Sequence, residues 1–334
     1  MTTVDTSGPD MLINSKPVGL LLKNSLAAVL IMAVALPLSA QEGKVVPVNI
    51  FGDGNPLNGV EDSRKPVTVD EGSGSPQMGQ SMNAGTISCD GKFRGTAMVV
   101  DTREIAPDLE GVVLVSAAHV LYNLKKNRLF RRCKFYFMGR DKVAGYRSKI
   151  DLKKIRLGNF DPRQSTGGAE FGEGDWVFIY LPAPWAKFNP DHSIRLAVFS
   201  FSQLEAYRQS GGEFRILAID SASGVISESR DCMVIESERY DIGGGTWKGQ
   251  LLDDCDSGDG ASGGGIIAVL NQQQYMIGIR TGSHWNKKVY PADKFPLGPA
   301  DGSVWNRHSN TNFGRAIDAH LLHEINLLIQ SHVH

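Results

Sequence analysis

From about Thr86 onward, short apolar segments alternate with turn signals, and this rhythm narrows the possible folds more than any other property of the chain. The segments cover residues 95–100, 112–116, 134–138, 176–181, 214–219, 232–235, 265–270 and 275–279. They are rich in Val, Ile, Phe and Tyr, whose branched or aromatic side chains suit a pleated, half-buried surface. The chain holds 37 glycines, and tight turns need residues that tolerate positive φ. No long helical period interrupts the pattern until residues 316–329. There Ile317, Leu321, Ile325 and Leu328 recur at three- and four-residue intervals and predict an amphipathic helix. Many short strands followed by one terminal helix predict an all-β fold of the barrel kind. The sequence shows no internal repeat.

The 334 residues suit one large domain, or two half-domains sharing a cleft. With 35 basic and 36 acidic residues the net charge is −1. No broad basic field therefore favours nucleic acid or an anionic membrane as a partner. The N-terminus reads as a targeting segment. Lys16 and Lys23 precede the apolar run 26–36, Pro37 breaks it, and Leu38-Ser39-Ala40 leads into Gln41. That is the pattern of a secretory signal over residues 1–40, and the run is short for a membrane span. The alternative is a membrane anchor. Residues 41–85, rich in Gly, Pro, Asp and Ser, read as an extended arm, a propeptide or both.

Four cysteines follow: Cys89, Cys133, Cys232 and Cys255. An even count after an export signal favours two disulfides, with three possible connectivities. Cys89–Cys133 would bracket His119, and Cys232–Cys255 would end just before Ser262, so this pairing braces two loops of chemical interest. No Cys-x-x-Cys or paired Cys/His spacing points to a metal.

Three residues stand out as candidate catalytic groups. Ser262 lies in Gly258-Asp259-Gly260-Ala261-Ser262-Gly263-Gly264-Gly265. A serine hydroxyl needs a base to take its proton, and its attack on a carbonyl builds an oxyanion that backbone N–H groups must meet. Glycines let the backbone approach closely, so Gly260 and Ser262 can offer their N–H groups. The simpler reading is a Gly-rich turn with an incidental serine. The string also fits Gly-x-Ser-x-Gly, the nucleophile elbow of α/β-hydrolases, which requires a helix after the serine and the histidine later in the chain. Here three glycines and an apolar run follow, which reads as a turn into a strand. His119 follows the β-branched run 112–115 and two small alanines. A lone histidine is more often a core residue, but none of the other seven has a comparable context. Asp175 opens the apolar run 176–181 and can accept a hydrogen bond from imidazole Nδ1. The competing role is a strand-capping acid.

In this order the residues resemble the chymotrypsin/trypsin-like serine peptidases, above all the secreted bacterial branch that includes glutamyl endopeptidases. Ser116-Ala117-Ala118-His119 is similar to that family's Thr-Ala-Ala-His, Asp175-Trp176-Val177 to its Asp-hydrophobic-Ala, and Gly260-Ala261-Ser262-Gly263-Gly264 to its Gly-Asp-Ser-Gly-Gly. Gly95-Thr96-Ala97, Gly278-Ile279-Arg280-Thr281-Gly282, Asn312-Phe313-Gly314-Arg315 and Val60-Glu61-Asp62-Ser63-Arg64 add weaker likenesses.

The resemblance implies two antiparallel six-stranded β-barrels over residues 86–330, with the active site between them and a C-terminal α-helix. It implies a secreted or periplasmic endopeptidase, acting on a polypeptide as a monomer. No metal or organic cofactor is needed, and no stable membrane association is expected once the signal is removed. A catalytically silent fold used as a binding module is the alternative, with an α/β-hydrolase esterase behind it. Two features depart from the pattern. Ala261 stands where trypsin-type enzymes carry an aspartate that pairs with a new N-terminal amine. Asp256 and Arg280 are both candidate substrate-pocket residues, and they point to opposite substrate charges.

Overall fold

The computed structural model describes residues 50–51, 62–67, 84–123, 126–137, 147–160, 173–182, 193–220, 224–230, 232–237, 249–291, 293–294, 299 and 302–332. The expected signal at 1–40 lies outside these residues, as does most of the expected arm at 41–85. The first strands are β1 (Lys65–Pro66), β2 (Ala84–Cys89), β3 (Lys92–Val100), β4 (Gly111–Ser116), β5 (Tyr122–Asn123), β6 (Arg128–Leu129), β7 (Cys133–Phe137), β8 (Arg147–Lys149), β9 (Ile155–Leu157) and β10 (Val177–Pro182). Then come β11 (Arg195–Leu196), helix α1 (Phe201–Gln209), β12 (Glu213–Asp220), β13 (Val225–Arg230), β14 (Val234–Glu236), β15 (Gln250–Asp253), β16 (Gly265–Leu270), β17 (Gln273–Trp285), β18 (Asn310–Ala316) and helix α2 (Ala319–Gln330).

These strands form two main sheets. The first has seven strands in the order β8-β7-β2-β3-β4-β10-β9, all antiparallel. The second has nine, in the order β1-β13-β12-β16-β17-β18-β15-β14, with β11 joining β17 in parallel. Strands β5 and β6 make a separate pair. The all-β architecture with a C-terminal helix is as expected. The sheets carry seven and nine strands; without the short strands β8 in the first and β1 and β11 in the second, six and seven remain. Pro66 fits the margin of its sheet, since a residue without an N–H is tolerated on an edge strand.

The cores follow the apolar runs. In β4 residues Val112–Val115 are buried, and in β10 Val177–Leu181 are buried without alternation. Continuous burial marks strands covered on both faces, as short unbroken apolar runs predict. Helix α2 supplies one of those faces: Leu321, Ile325, Leu328 and Ile329 are buried in the same cluster as β4 and β10. Asp318 caps the helix, its Oδ1 accepting from Leu321 N–H at 2.9 Å, which satisfies one of the unpaired first-turn donors. Among the described residues no helix is long and apolar enough to cross a membrane.

Helix α1 departs from the expectation of no helix before the C-terminus. Only Leu204 of α1 is buried, so the segment carries almost no apolar period. Its start is set by a capping box, with Ser200 and Gln203 bonding each other's backbone.

Segment 194–197 and the side chain of Thr96 are among the links between the two sheets. Ile194 N–H donates to Val99 O at 2.8 Å, and Asp101 N–H to Ile194 O at 2.8 Å, while Ala197 N–H donates to Met276 O at 3.0 Å in the second sheet. Thr96 of β3 is fully buried. Its Oγ1 donates to Gly260 O at 2.8 Å and accepts from Ile219 N–H at 3.0 Å.

Both disulfides have the favoured pairing, Cys89–Cys133 and Cys232–Cys255. Cys89 and Cys133 are direct partners across β2 and β7. Closing a 44-residue separation that contains His119 restricts the unfolded chain by about 4 kcal/mol on a loop-entropy reckoning.

Candidate active site

Strand β4 delivers His119. Its last residue, Ser116, is followed by Ala117 and the 3-10 turn Ala118–Leu121. Ala117 and Ala118 are buried, and their small side chains let the turn fold against the sheet. Asp175 stands two residues before β10, the strand adjacent to β4. Its loop is held by Gly158 N–H donating to Trp176 O at 2.9 Å. Asp175 is wholly buried, and both of its oxygens serve His119. Oδ1 accepts the backbone N–H of His119 at 2.9 Å, and Oδ2 lies 2.7 Å from Nδ1. An ionised carboxylate in that position fixes the imidazole proton on Nδ1 and leaves Nε2 as the acceptor. Burial alone would lower the His119 pKa. The charge of Asp175 and its hydrogen bond outweigh that and hold it above the usual 6.5.

Ser262 is carried by two consecutive turns ahead of β16. Ala261 N–H donates to Gly258 O at 3.1 Å, and Gly264 N–H to Ala261 O at 2.9 Å. Gly260 and Gly263 have φ of 97° and 84°, the left-handed region that L side chains rarely adopt. Ser262 O accepts Thr96 N–H at 2.8 Å, and Gly263 N–H donates to Arg280 O at 2.7 Å. Gly263 lies directly on Thr96 O and on Ser116 Oγ, which itself donates to Thr96 O at 2.6 Å. The turn that carries Ser262 thus packs on the end of β4, three residues before His119.

A Cβ at 263 would overlap both Thr96 O and Ser116 Oγ. Gly263→Ala should therefore destabilise the protein by about 3 kcal/mol or more, read as a lower urea midpoint with an unchanged slope.

Among the described residues, the backbone N–H groups of Gly260 and Ser262 donate no hydrogen bond, and Ser262 Oγ makes none. The structure therefore lacks a Ser262–His119 hydrogen bond. In free enzymes such bonds are often long and tighten only in the substrate complex.

The residue after this turn decides against the nucleophile elbow. Residues Gly265–Leu270 form β16, antiparallel to β12 and β17, not a helix.

Comparison with known proteins adds little beyond this geometry. No family model and no curated protein matches the sequence. Among solved structures the chain is similar to a Glu endopeptidase in complex with MPD, at 13% identity and TM-score 0.48, covering 81% of this chain and 98% of that one. It is also similar to kallikrein-related peptidase 10, at 12% identity and TM-score 0.46, covering 76% of this chain and 98% of that one. The fold is read from the sheets themselves.

The two candidate pocket residues have firm partners. Asp256 is 5% exposed, and its oxygens accept the N–H groups of Phe51 and Ser63 at 2.8 and 2.7 Å. Arg280 is 2% exposed. It donates to Ser257 Oγ at 2.8 Å, Phe313 O at 3.0 Å and Ser283 Oγ at 3.4 Å. The carboxylate facing it at 3.5 Å is Asp253, not Asp256. Burial pushes the Asp253 carboxyl up, against the opposing pull of Arg280.

Sequence reasoning had not given a role to three supporting residues. Thr96 and Ser116 tie β3 and β4 to the turn that carries Ser262. Arg315, 3% exposed, donates to Glu173 O at 3.0 Å and pairs with Asp318 at 2.6 Å. It thereby ties the loop before Asp175 to the start of α2. Long-range contacts of this kind leave no local period in the sequence. The one signal for Thr96 and Arg315 was their place in segments similar to the peptidase family.

Proposed function

We propose that the chain is a serine endopeptidase, exported to an oxidising compartment, that hydrolyses polypeptides through an acyl-enzyme. The observation that supports this best is the pairing of buried Asp175 with the partly exposed His119, 2.7 Å apart, next to the turn that carries Ser262. In this reading His119 Nε2 takes the Ser262 proton as Oγ attacks the scissile carbonyl. Asp175 orients the ring and stabilises the imidazolium. The N–H groups of Gly260 and Ser262 receive the oxyanion. His119 then gives its proton to the leaving amine, and water hydrolyses the acyl-enzyme with His119 again as base. The two disulfides support an oxidising compartment.

The second reading is a catalytically silent fold that binds without cleaving. Among the described residues Ser262 Oγ makes no hydrogen bond, a state that a free enzyme and a silent fold share. A peptide-library digest with the purified protein separates the two. Turnover is expected, and a folded sample that cleaves nothing in the library would favour the silent module. The digest would also report the preferred side chain beside the cleaved bond.

The pH dependence follows from His119. The base must be neutral to accept a proton, and its pKa lies above 6.5. Cleavage should therefore be weak in acid and rise through an apparent pKa above 6.5. A profile already flat from pH 5 would exclude His119 as the base.

A further inference from the structure

Asp256 binds the N-terminal arm with both carboxylate oxygens. Phe51 N–H donates to Oδ1 at 2.8 Å and Ser63 N–H to Oδ2 at 2.7 Å. Ser229 Oγ accepts the Asp256 N–H at 3.1 Å and lies 2.9 Å from Ser63 Oγ. One residue further on, the Arg64 guanidinium lies over Gly258, so close that a Cβ there would overlap it. Arg64 grips Asp62 through Nε at 2.8 Å and through its terminal nitrogen at 2.6 Å, and sits 3.6 Å from Asp220. The arm then continues as β1 on β13, and Val67 N–H donates to Ile226 O at 2.9 Å. The Phe51 and Ser63 bonds and the Arg64 guanidinium thus meet at residues 256–258, while β1 anchors the arm on β13. Gly258 O in turn accepts Ala261 N–H and so starts the turn that presents Ser262.

We infer that arm residues 50–51 and 62–67 are a working part of the site and not a removable propeptide. Asp256 is the clasp, and Arg64 is a positioning residue for the nucleophile turn. This rests on the reading of Ser262 as nucleophile. It also removes Asp256 from the candidate substrate readers. A buried carboxylate that already accepts two main-chain donors has no cause to face a substrate cation, whereas without the arm it would lose both of those donors. The arm reaches this turn even though Ala261 offers no carboxylate of its own.

The test uses the full chain, a small fluorophosphonate without a peptide side chain, and four proteins: wild type, Asp256→Asn, Arg64→Ala and Arg64→Lys. Loss of a charge-assisted hydrogen bond in the clasp should slow Ser262 labelling by about ten- to a hundredfold. It should also speed amide exchange in residues 258–264. Arg64→Lys should recover part of the rate lost in Arg64→Ala, and the residue preference of peptide cleavage should stay as in wild type. Wild-type labelling rates in Asp256→Asn and Arg64→Ala would overturn the inference. So would a switched substrate preference in Asp256→Asn, which would make Asp256 a reader. If wild type itself does not label, the nucleophile reading fails, and amide exchange at 258–264 still decides the clasp. If Asp256→Asn does not fold, the two Arg64 variants carry the decision.

Discussion

Ser262→Ala should reduce peptide hydrolysis about a millionfold, the scale seen when the nucleophile of a serine peptidase is removed. The fold should not notice the change. Ser262 is held through its carbonyl oxygen, which accepts Thr96 N–H at 2.8 Å, and alanine keeps that group. Its hydroxyl has no hydrogen bond to lose among the described residues. Thermal unfolding of the two proteins should coincide while their cleavage rates differ by the full factor. Residual cleavage near the wild-type level would place the nucleophile elsewhere.

The second large effect is at Asp175. Asp175→Asn is nearly isosteric and can still accept His119 N–H through its remaining oxygen. Its amide nitrogen, however, would face Nδ1 where Oδ2 now lies at 2.7 Å. A donor there forces the imidazole proton onto Nε2, the atom that must accept from serine. The expected loss is about ten-thousandfold in turnover. Removing the carboxylate also removes both of the causes that raise the His119 pKa. What rate remains should depend on a His119 pKa shifted downward, visible by titrating the ring with NMR. A loss of only a few fold would mean that Asp175 caps its strand and does not serve His119.

Much of the fold was legible in the sequence, and particular segments show why. Residues 112–116 and 176–181 were read as strands because both are unbroken apolar runs, and they became the central β4 and β10. The terminal helix was legible from its three- and four-residue spacing. It begins at Ala319 and not 316, because Asp318 caps it and β18 runs through Ala316. Helix α1 was not legible by period, since only Leu204 faces the core; its Ser200-x-x-Gln203 capping box was the available signal. Strand β17 runs to Trp285, beyond the expected 279, across a bulge at Arg280/Gly282. A glycine-interrupted polar stretch conceals that continuation.

In the site, His119, Asp175 and Ser262 were each marked by local context, a small-residue turn, a strand mouth and a glycine run. The partners of Asp256 and Arg280 were not legible. They lie 193 and 205 residues away for Asp256, and Arg280 turns on Asp253 and Phe313 through pairings that only the folded sheets create. Opposite charges at two pocket positions looked like a conflict over substrate. In the fold they belong to separate networks, one holding the arm and one holding β17.

The most direct test of the central claim is mass-spectrometric mapping of the adduct formed by a fluorophosphonate probe on the intact protein. A single phosphonyl adduct on Ser262, absent in Ser262→Ala and strongly slowed in Asp175→Asn, is the expected result. A folded protein that takes no adduct, or carries it on another residue, would contradict a serine peptidase built on Ser262, His119 and Asp175.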